Sequence, residues 1–175
     1  MEAAARRFFT SPQFAVVGAS QDKSKFGYKS KTHLRHNGSD DTDTGTAVFA
    51  WYHAHSLPVT PINPSRPNIA LPSKTYNTAS SSSSLPDPPS TGLSFLTAPP
   101  VTRKALQEAK SAGVKSVWLQ PGSFEERDLK WAKDNFENAV GGFEEGTVGG
   151  EGWCVLVDGD GCLRAAGREV QRQKL

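Results

Sequence analysis

The sequence predicts a doubly wound α/β protein, a parallel sheet of about five strands with helices on both faces. Three observations carry this. Short apolar runs alternate with helix-like segments along almost all of the 175 residues. Several of those runs stop at turns of Gly, Pro, Asn or Gln. Strands separated by helices are joined by right-handed crossovers, which build a parallel sheet.

The elements follow in order. A helix is expected over about 2–9, with Phe8 and Phe9 as its buried edge. "FAVVG" (14–18) is the first strand, because four apolar residues run straight into a small-residue turn. A basic crossover helix begins near Ser24 or Lys25. The stretch "NGSDDTDTGT" (37–46) lacks helical periodicity and is expected to be a solvated insertion splitting that crossover before "AVFAWYHAHSL". "VTPIN" (59–63) is the second strand. "NTASSSSSLPDPPSTG" (77–92) is expected to be a loop too polar to pack, whose shortening leaves stability nearly unchanged. "LSFLT" (93–97), a helix over about 100–112, "SVWLQ" (116–120), a helix over about 124–136 and "NAVGG" (138–142) continue the alternation. "WCVLVDGDGCLRAA" reads as a C-terminal hairpin extension. Strands of one sheet lie on both sides of the two polar stretches, so residues 1–175 form a single domain.

Composition narrows the function. Apolar residues make up 36%, and the deficit is concentrated at 37–46 and 77–92. A formal charge of +2 does not mark a nucleic-acid binder. The distribution says more: Lys23, Lys25, Lys29, Lys31 and Arg35 crowd the segment after the first strand, which makes that end of the fold positive. No apolar run approaches the roughly 18–20 residues that span a bilayer. Arg6 and Arg7 hint at a mitochondrial presequence, but Glu2 and the short distance to the first strand favour a cytoplasmic chain. Cys154 and Cys162 are expected to be free thiols.

In an open parallel sheet, ligands bind at the carboxyl ends of the strands. After the first strand, Gly18 permits close backbone approach, Ser20 offers a hydroxyl, and Gly27 lets a ligand lie against the following helix. The start of that helix and Lys25 favour an anion. The spacing is not GxGxxG, and a tight turn without a ligand is the alternative. After the second strand stand Asn63, Pro64, Ser65 and Arg66, where an NAD enzyme places an acid. Arg66 suits a phosphate on the ribose, as in NADP or coenzyme A, or is a solvated loop charge. Pro99 and Pro100 stiffen the backbone beside Thr97 after the third strand. Gln120, Pro121 and Gly122 make another stiff turn after the fourth.

"FAVVGASQDKSKFG", "PINP", "TAPPVT", "WLQPG" and "WCVLVD" resemble, in order and role, the small stand-alone CoA-binding proteins of Rossmann type. These are relatives of the CoA-binding domain of the succinyl-CoA synthetase alpha subunit. The resemblance spans about residues 8–160. It implies a Rossmann-like sheet and places Gly18, Ala19, Ser20, Lys25 and Phe26 near the pyrophosphate of CoA. It places Asn63, Pro64 and Arg66 near the adenosine 3′-phosphate, and Thr97, Pro99 and Gln120 along the pantetheine arm. The stretches 37–46 and 77–92 depart from the compact pattern and could lie at the groove's rim.

Other constellations carry less. His53 and His55, two apart on a helix, point in different directions, and no metal site is expected. "DGDG" (158–161) lacks the closing acid of a calcium loop and reads as a hairpin turn. The apolar flanks of Cys154 keep its thiol inert. Tyr28, Tyr52 and Tyr76 are followed four residues on by Thr32, Ser56 and Ser80, not by the lysine of a short-chain dehydrogenase. The histidines all fall between 33 and 55, with no second domain to use one as a phosphoryl carrier. No catalytic residue is therefore assigned. The expectation is non-catalytic binding of coenzyme A or a short acyl-CoA, as a homodimer or docked on a partner enzyme, without nucleic acid or membrane. The alternatives are an NADP-dependent oxidoreductase-like protein and an interaction module with an empty groove.

Overall fold

The computed structural model describes residues 2–19, 44–72, 74–143 and 145–169. Its centre is a five-stranded sheet of β1 (Gln13–Val17), β2 (Val59–Ile62), β5 (Thr91–Phe95), β6 (Ser116–Leu119) and β7 (Asn138–Val140). All neighbours pair in parallel, in the order β2-β1-β5-β6-β7. The chain steps outward from β1 to β2, then places β5 on the other side of β1. The winding direction therefore reverses between β1 and β5, which is where doubly wound sheets bind ligands. The fold is the expected Rossmann-like α/β architecture.

Strand side chains alternate between two buried faces, so the strands read as unbroken apolar runs. Phe14, Val16, Trp118 and Val140 face α1 (Glu2–Phe8), α2 (Thr44–Ala54) and α5 (Val155–Ala165). Ala15, Val17, Leu93, Phe95, Val117 and Leu119 face α3 (Pro99–Ser111) and α4 (Glu126–Asn135). Phe8 and Phe9 are fully buried, and Phe8 meets Trp118 edge-on with ring centroids 5.4 Å apart. Helix α4 starts with a reciprocal cap in which Asp128 accepts from the Glu125 N–H at 3.0 Å.

Four local expectations change. The C-terminal segment is the helix α5, not a hairpin. Val155, Asp158, Gly159, Cys162 and Leu163 are its buried residues, and they recur at helical spacing. Gly159 is required there because a Cβ would sit 2.4 Å from the Trp51 ring. Packing thus offsets the roughly 1 kcal/mol that each helical glycine costs. The "DGDG" run lies within this helix.

Second, β3 (Asn68–Leu71) and β4 (Lys74–Asn77), not expected from the sequence, pair as antiparallel strands. Ile69 and Leu71 are buried, and Tyr76 packs on Phe49 and hydrogen-bonds His53. Third, the 77–92 stretch is not simply solvated. Ser82 and Leu85 are buried, Leu85 in the α3-side core, and Ala79 pairs with Ile62 as a parallel bridge at the sheet edge. Two short 3-10 turns give its polar backbone internal partners, which lets one leucine anchor a serine-rich run. Fourth, β5 begins and ends two residues earlier than expected, so Thr97 lies beyond the strand. Of the 37–46 insertion, residues 37–43 lie outside the described residues, while 44–46 begin α2.

One ion-pair network fixes α3 to α4. Arg103 donates from Nε to Asp128 Oδ1 at 2.6 Å and from Nη2 to Oδ2 at 3.2 Å. Burial pushes the Asp128 carboxyl up, but Arg103 and the Glu125 N–H outweigh it and hold the pKa below its ordinary value. The folded-state pKa thus lies below the unfolded one. Its contribution to stability is complete above the ordinary carboxylate pKa of about 4 and is lost as pH falls through the folded value. Asp128→Asn should therefore be less stable than the parent at neutral pH, with the gap closing as pH drops below about 4. Urea midpoints measured from about pH 3 to pH 7 check this, and a gap independent of pH would refute it.

Candidate functional site

The carboxyl ends of β1, β2 and β5 meet around a cavity of about 430 Å³. That volume lies in the range of small-molecule sites, roughly 300–1,000 Å³. Val17 and Gly18 contribute from β1 and its turn, and Ile62, Asn63, Pro64 and Ser65 from β2 and the loop after it. Thr97 and Ala98 come from the β5–α3 connection, and Val101, Lys104, Ala105 and Glu108 from one face of α3. Ser80, Ser81 and Ser82 close the outer side.

Backbone chemistry holds these pieces in place. Gly18 has φ +92°, and its N–H donates to Ile62 O at 3.1 Å. A Cβ here would lie 2.7 Å from Thr97 Cγ2, so the turns after β1 and β5 touch only because residue 18 is glycine. Asn63 ties two loops together. Its Nδ2 donates to Ala19 O at 2.8 Å, and its Oδ1 accepts from the Ser65 N–H at 2.9 Å in an Asx-type turn. The Asn63 N–H donates to Ala79 O at 3.0 Å, which brings the serine run to the rim.

Thr97 and Thr102 share a hydroxyl contact of 2.7 Å, and Thr102 Oγ1 also donates to Thr97 O at 2.8 Å. Thr102 has one hydroxyl proton, so Thr97 donates to Thr102 and retains only acceptor capacity toward a ligand. Helix α3 opens with Pro99 and Pro100, which have no N–H, and the Val101 N–H donates to Ala98 O at 2.9 Å. This helix start is consequently a poor anion cradle.

Of the residues expected at a site, Gly18, Asn63, Pro64 and Thr97 converge on the cavity. Ala19 is buried beside it and contributes its carbonyl to Asn63. Arg66 is exposed on the loop after β2, outside the lining, and its carbonyl accepts from Thr78 Oγ1. Pro99 is half-buried in the first turn of α3 and is not a lining residue. Gln120 is 2% exposed and braces α5: its side-chain Oε1 accepts from the Val155 N–H at 2.9 Å, and its backbone N–H donates to Phe95 O at 3.1 Å. Ser20, Lys25, Phe26 and Gly27 lie outside the described residues.

The α3 face was missed, although Val101, Lys104, Ala105 and Glu108 are spaced i, i+3, i+4, i+7 and so share one side of a helix. Ser65 and Ser80–Ser82 carried no comparable signal. A second cavity of about 270 Å³ lies on the α5 side, lined in part by Glu2, Trp153 and Cys162, away from the crossover point.

The reactive side chains are quiet. Tyr52 is fully buried with its hydroxyl 2.7 Å from Ser94 Oγ, and burial raises its pKa far above the ordinary phenol value. Burial likewise raises the Cys154 thiol and pushes Cys162 up to about 12. His53 pairs with Tyr76, while His55 contacts Trp51 O at 2.7 Å and Asp160 Oδ1 at 2.9 Å. Among the described residues no three His, Cys, Asp or Glu side chains group to hold a metal, and no helix is long and apolar enough to cross a membrane.

Residues 12–143 match a family model described as CoA binding domain. No curated protein matches the chain. Among solved structures, a hypothetical protein from Pyrococcus horikoshii is similar at 18% identity and TM-score 0.59, with 80% of this chain and 83% of that one covered. A conserved hypothetical protein from Pyrococcus furiosus is similar at 22% identity and TM-score 0.50, covering 70% and 86%. At these identities the likeness is one of fold.

Proposed function

The chain belongs to the CoA-binding domain family, and on that premise we propose that it binds coenzyme A or a short acyl-CoA without catalysing a reaction on it. The observation that carries this reading is the cavity at the β1/β5 crossover. Its inner surface is apolar (Val17, Ile62, Val101, Ala105), and a few polar groups stand at its edges, as a slot for a nucleoside requires. The adenosine end enters this slot. The pyrophosphate lies toward Gly18 and Ala19, where the sequence continues into Ser20, Lys25, Phe26 and Gly27. Asn63, Pro64 and Arg66 flank the ribose phosphate. The pantetheine arm leaves past Thr97 and Pro99.

Binding without turnover is supported by the state of the candidate nucleophiles. Both thiols have raised pKa values, and the Tyr52 hydroxyl is engaged with Ser94 inside the core. The role would then be to carry, sense or present the cofactor, alone, as a homodimer or on a partner enzyme.

Titration calorimetry with CoA, 3′-dephospho-CoA and NADP tests the reading. CoA should bind in preference to NADP. Arg66 is exposed, so the charge-assisted contact with a phosphate is screened. Arg66→Ala should weaken CoA by about five- to tenfold and leave dephospho-CoA nearly unchanged, with the difference shrinking at high salt. Equal losses for both ligands would remove Arg66 from phosphate recognition. Preference for NADP in the unmutated protein would favour an oxidoreductase-like groove, and no binding of either would indicate an empty interaction module.

A further inference from the structure

The cavity contains one carboxylate whose placement is more specific than general polarity. Glu108 lines it from the third turn of α3, beside the apolar slot formed by Val17, Ile62, Val101 and Ala105. One of its oxygens is already tethered: Oε1 accepts from the Ser83 N–H at 3.3 Å and faces Ser83 Oγ at 3.4 Å. The tether comes from the short 3-10 turn Ser82–Ser84, itself braced when the Ser81 N–H donates to Ser84 Oγ at 3.0 Å. Oε2 accepts no hydrogen bond among the described residues. A carboxylate is an acceptor only, so whatever meets Oε2 in the slot must present a donor. Lys104, one turn earlier on the same helix face, keeps this wall from repelling a phosphorylated ligand.

We propose that Glu108 is a specificity-determining residue that reads the exocyclic amino group of the adenine ring and rejects 6-oxopurines. Adenine offers two N–H bonds at its 6-position. Hypoxanthine and guanine offer a carbonyl oxygen there, and an oxygen facing a carboxylate loses the hydrogen bond and adds repulsion. A site built around a hydrogen bond discriminates strongly against a ligand that cannot make it. The inference rests on the CoA reading and deepens it, because it states which part of the nucleotide the α3 face recognises.

The test compares CoA with its deaminated analogue, in which hypoxanthine replaces adenine, on the parent protein, Glu108→Gln and Ser83→Ala. The parent should bind CoA at least about tenfold tighter than the analogue. Glu108→Gln should bring the two within about twofold, since a carboxamide can donate to the 6-oxygen as well as accept from the amino group. Ser83→Ala should give an intermediate ratio, because it removes the hydroxyl contact and retains the backbone N–H donor. CoA binding with no preference over the analogue, or a preference unaltered in Glu108→Gln, overturns the assignment to Glu108 while leaving CoA binding intact. Failure of the parent to bind CoA at all overturns both, and is recognisable because the parent alone shows it.

Discussion

Replacing Gly18 with alanine should destabilise the protein by about 2–5 kcal/mol and distort the candidate groove in the same step. Two costs add. A φ of +92° is unfavourable for any residue with a Cβ, and left-handed backbone costs such a residue about 1–2 kcal/mol. The new methyl would also lie 2.7 Å from Thr97 Cγ2 and 3.2 Å from the Thr97 backbone nitrogen. Overpacking of this kind costs about 1–3 kcal/mol. Thr97 cannot simply rotate away, because its hydroxyl is engaged with Thr102. For a chain of this size the sum corresponds to a fall in Tm of roughly 4–20 °C.

The double variant Gly18→Ala/Thr97→Ser separates the two costs. Serine keeps the hydroxyl and removes the clashing methyl, so part of the loss should return and the backbone part should remain. Denaturant midpoints for the parent, both single variants and the double variant close the cycle. A Gly18→Ala protein as stable as the parent, or no recovery on adding Thr97→Ser, would contradict this picture of the β1/β5 junction.

The same junction indicates what could be read from the sequence. "FAVV" followed by Gly-Ala-Ser is a strong local signal, since a fully buried parallel strand and its small-residue turn both leave marks on composition. The turn at Asn63 after β2 was legible for the same reason, whereas the end of β5 was expected two residues late, at Thr97. The cavity's outer wall was not legible. Ser80–Ser82 stand in a run whose polarity is that of a solvated loop, and the run is held by Leu85, by the Ala79 bridge, by the Ser83–Glu108 contact and by internal turns. Such contacts are long-range and leave no periodicity. Gln120 shows the converse. Its position at a strand end invites a role toward a ligand, yet its carbonyl oxygen accepts from the first N–H of α5. That pairing depends on α4, β7 and the loop that follows returning the chain to the sheet before α5 begins.

The C-terminal segment misled through its turn-forming residues. Asp158, Gly159, Asp160 and Gly161 would suit a hairpin in isolation, but the buried set Val155, Asp158, Gly159, Cys162 and Leu163 has helical spacing. Asp158 decides between these alternatives. From the first turn of α5 it reaches back to accept the Cys154 N–H at 2.9 Å and so satisfies a donor at the helix entrance. Its other oxygen accepts the Val148 N–H at 2.9 Å, and Thr147 Oγ1 approaches both oxygens at 3.0 and 3.2 Å. One carboxylate, 6% exposed, therefore caps the helix and organises the loop before it. Its negative charge also suits a helix N-terminus.

Asp158→Ala should cost about 2–6 kcal/mol, because it strands two part-buried backbone donors, the Val148 and Cys154 N–H groups, at about 1–3 kcal/mol each. Asp158→Asn retains one acceptor oxygen and should fall between the parent and the alanine variant. Helix α5 is tied to the sheet through the Trp118 Nε1–H, which donates to Trp153 O at 3.1 Å, and through Gln120. Its loosening should therefore appear as a red-shifted tryptophan emission together with the drop in urea midpoint. Amide exchange should accelerate first over residues 147–165, before the β1 and β5 amides respond, because the damage begins at the cap and reaches the sheet afterwards, through the packing of α5 and those two bonds. If Asp158→Ala stays within about 1 kcal/mol of the parent with unchanged exchange at Val148 and Cys154, the carboxylate does not organise this end of the fold.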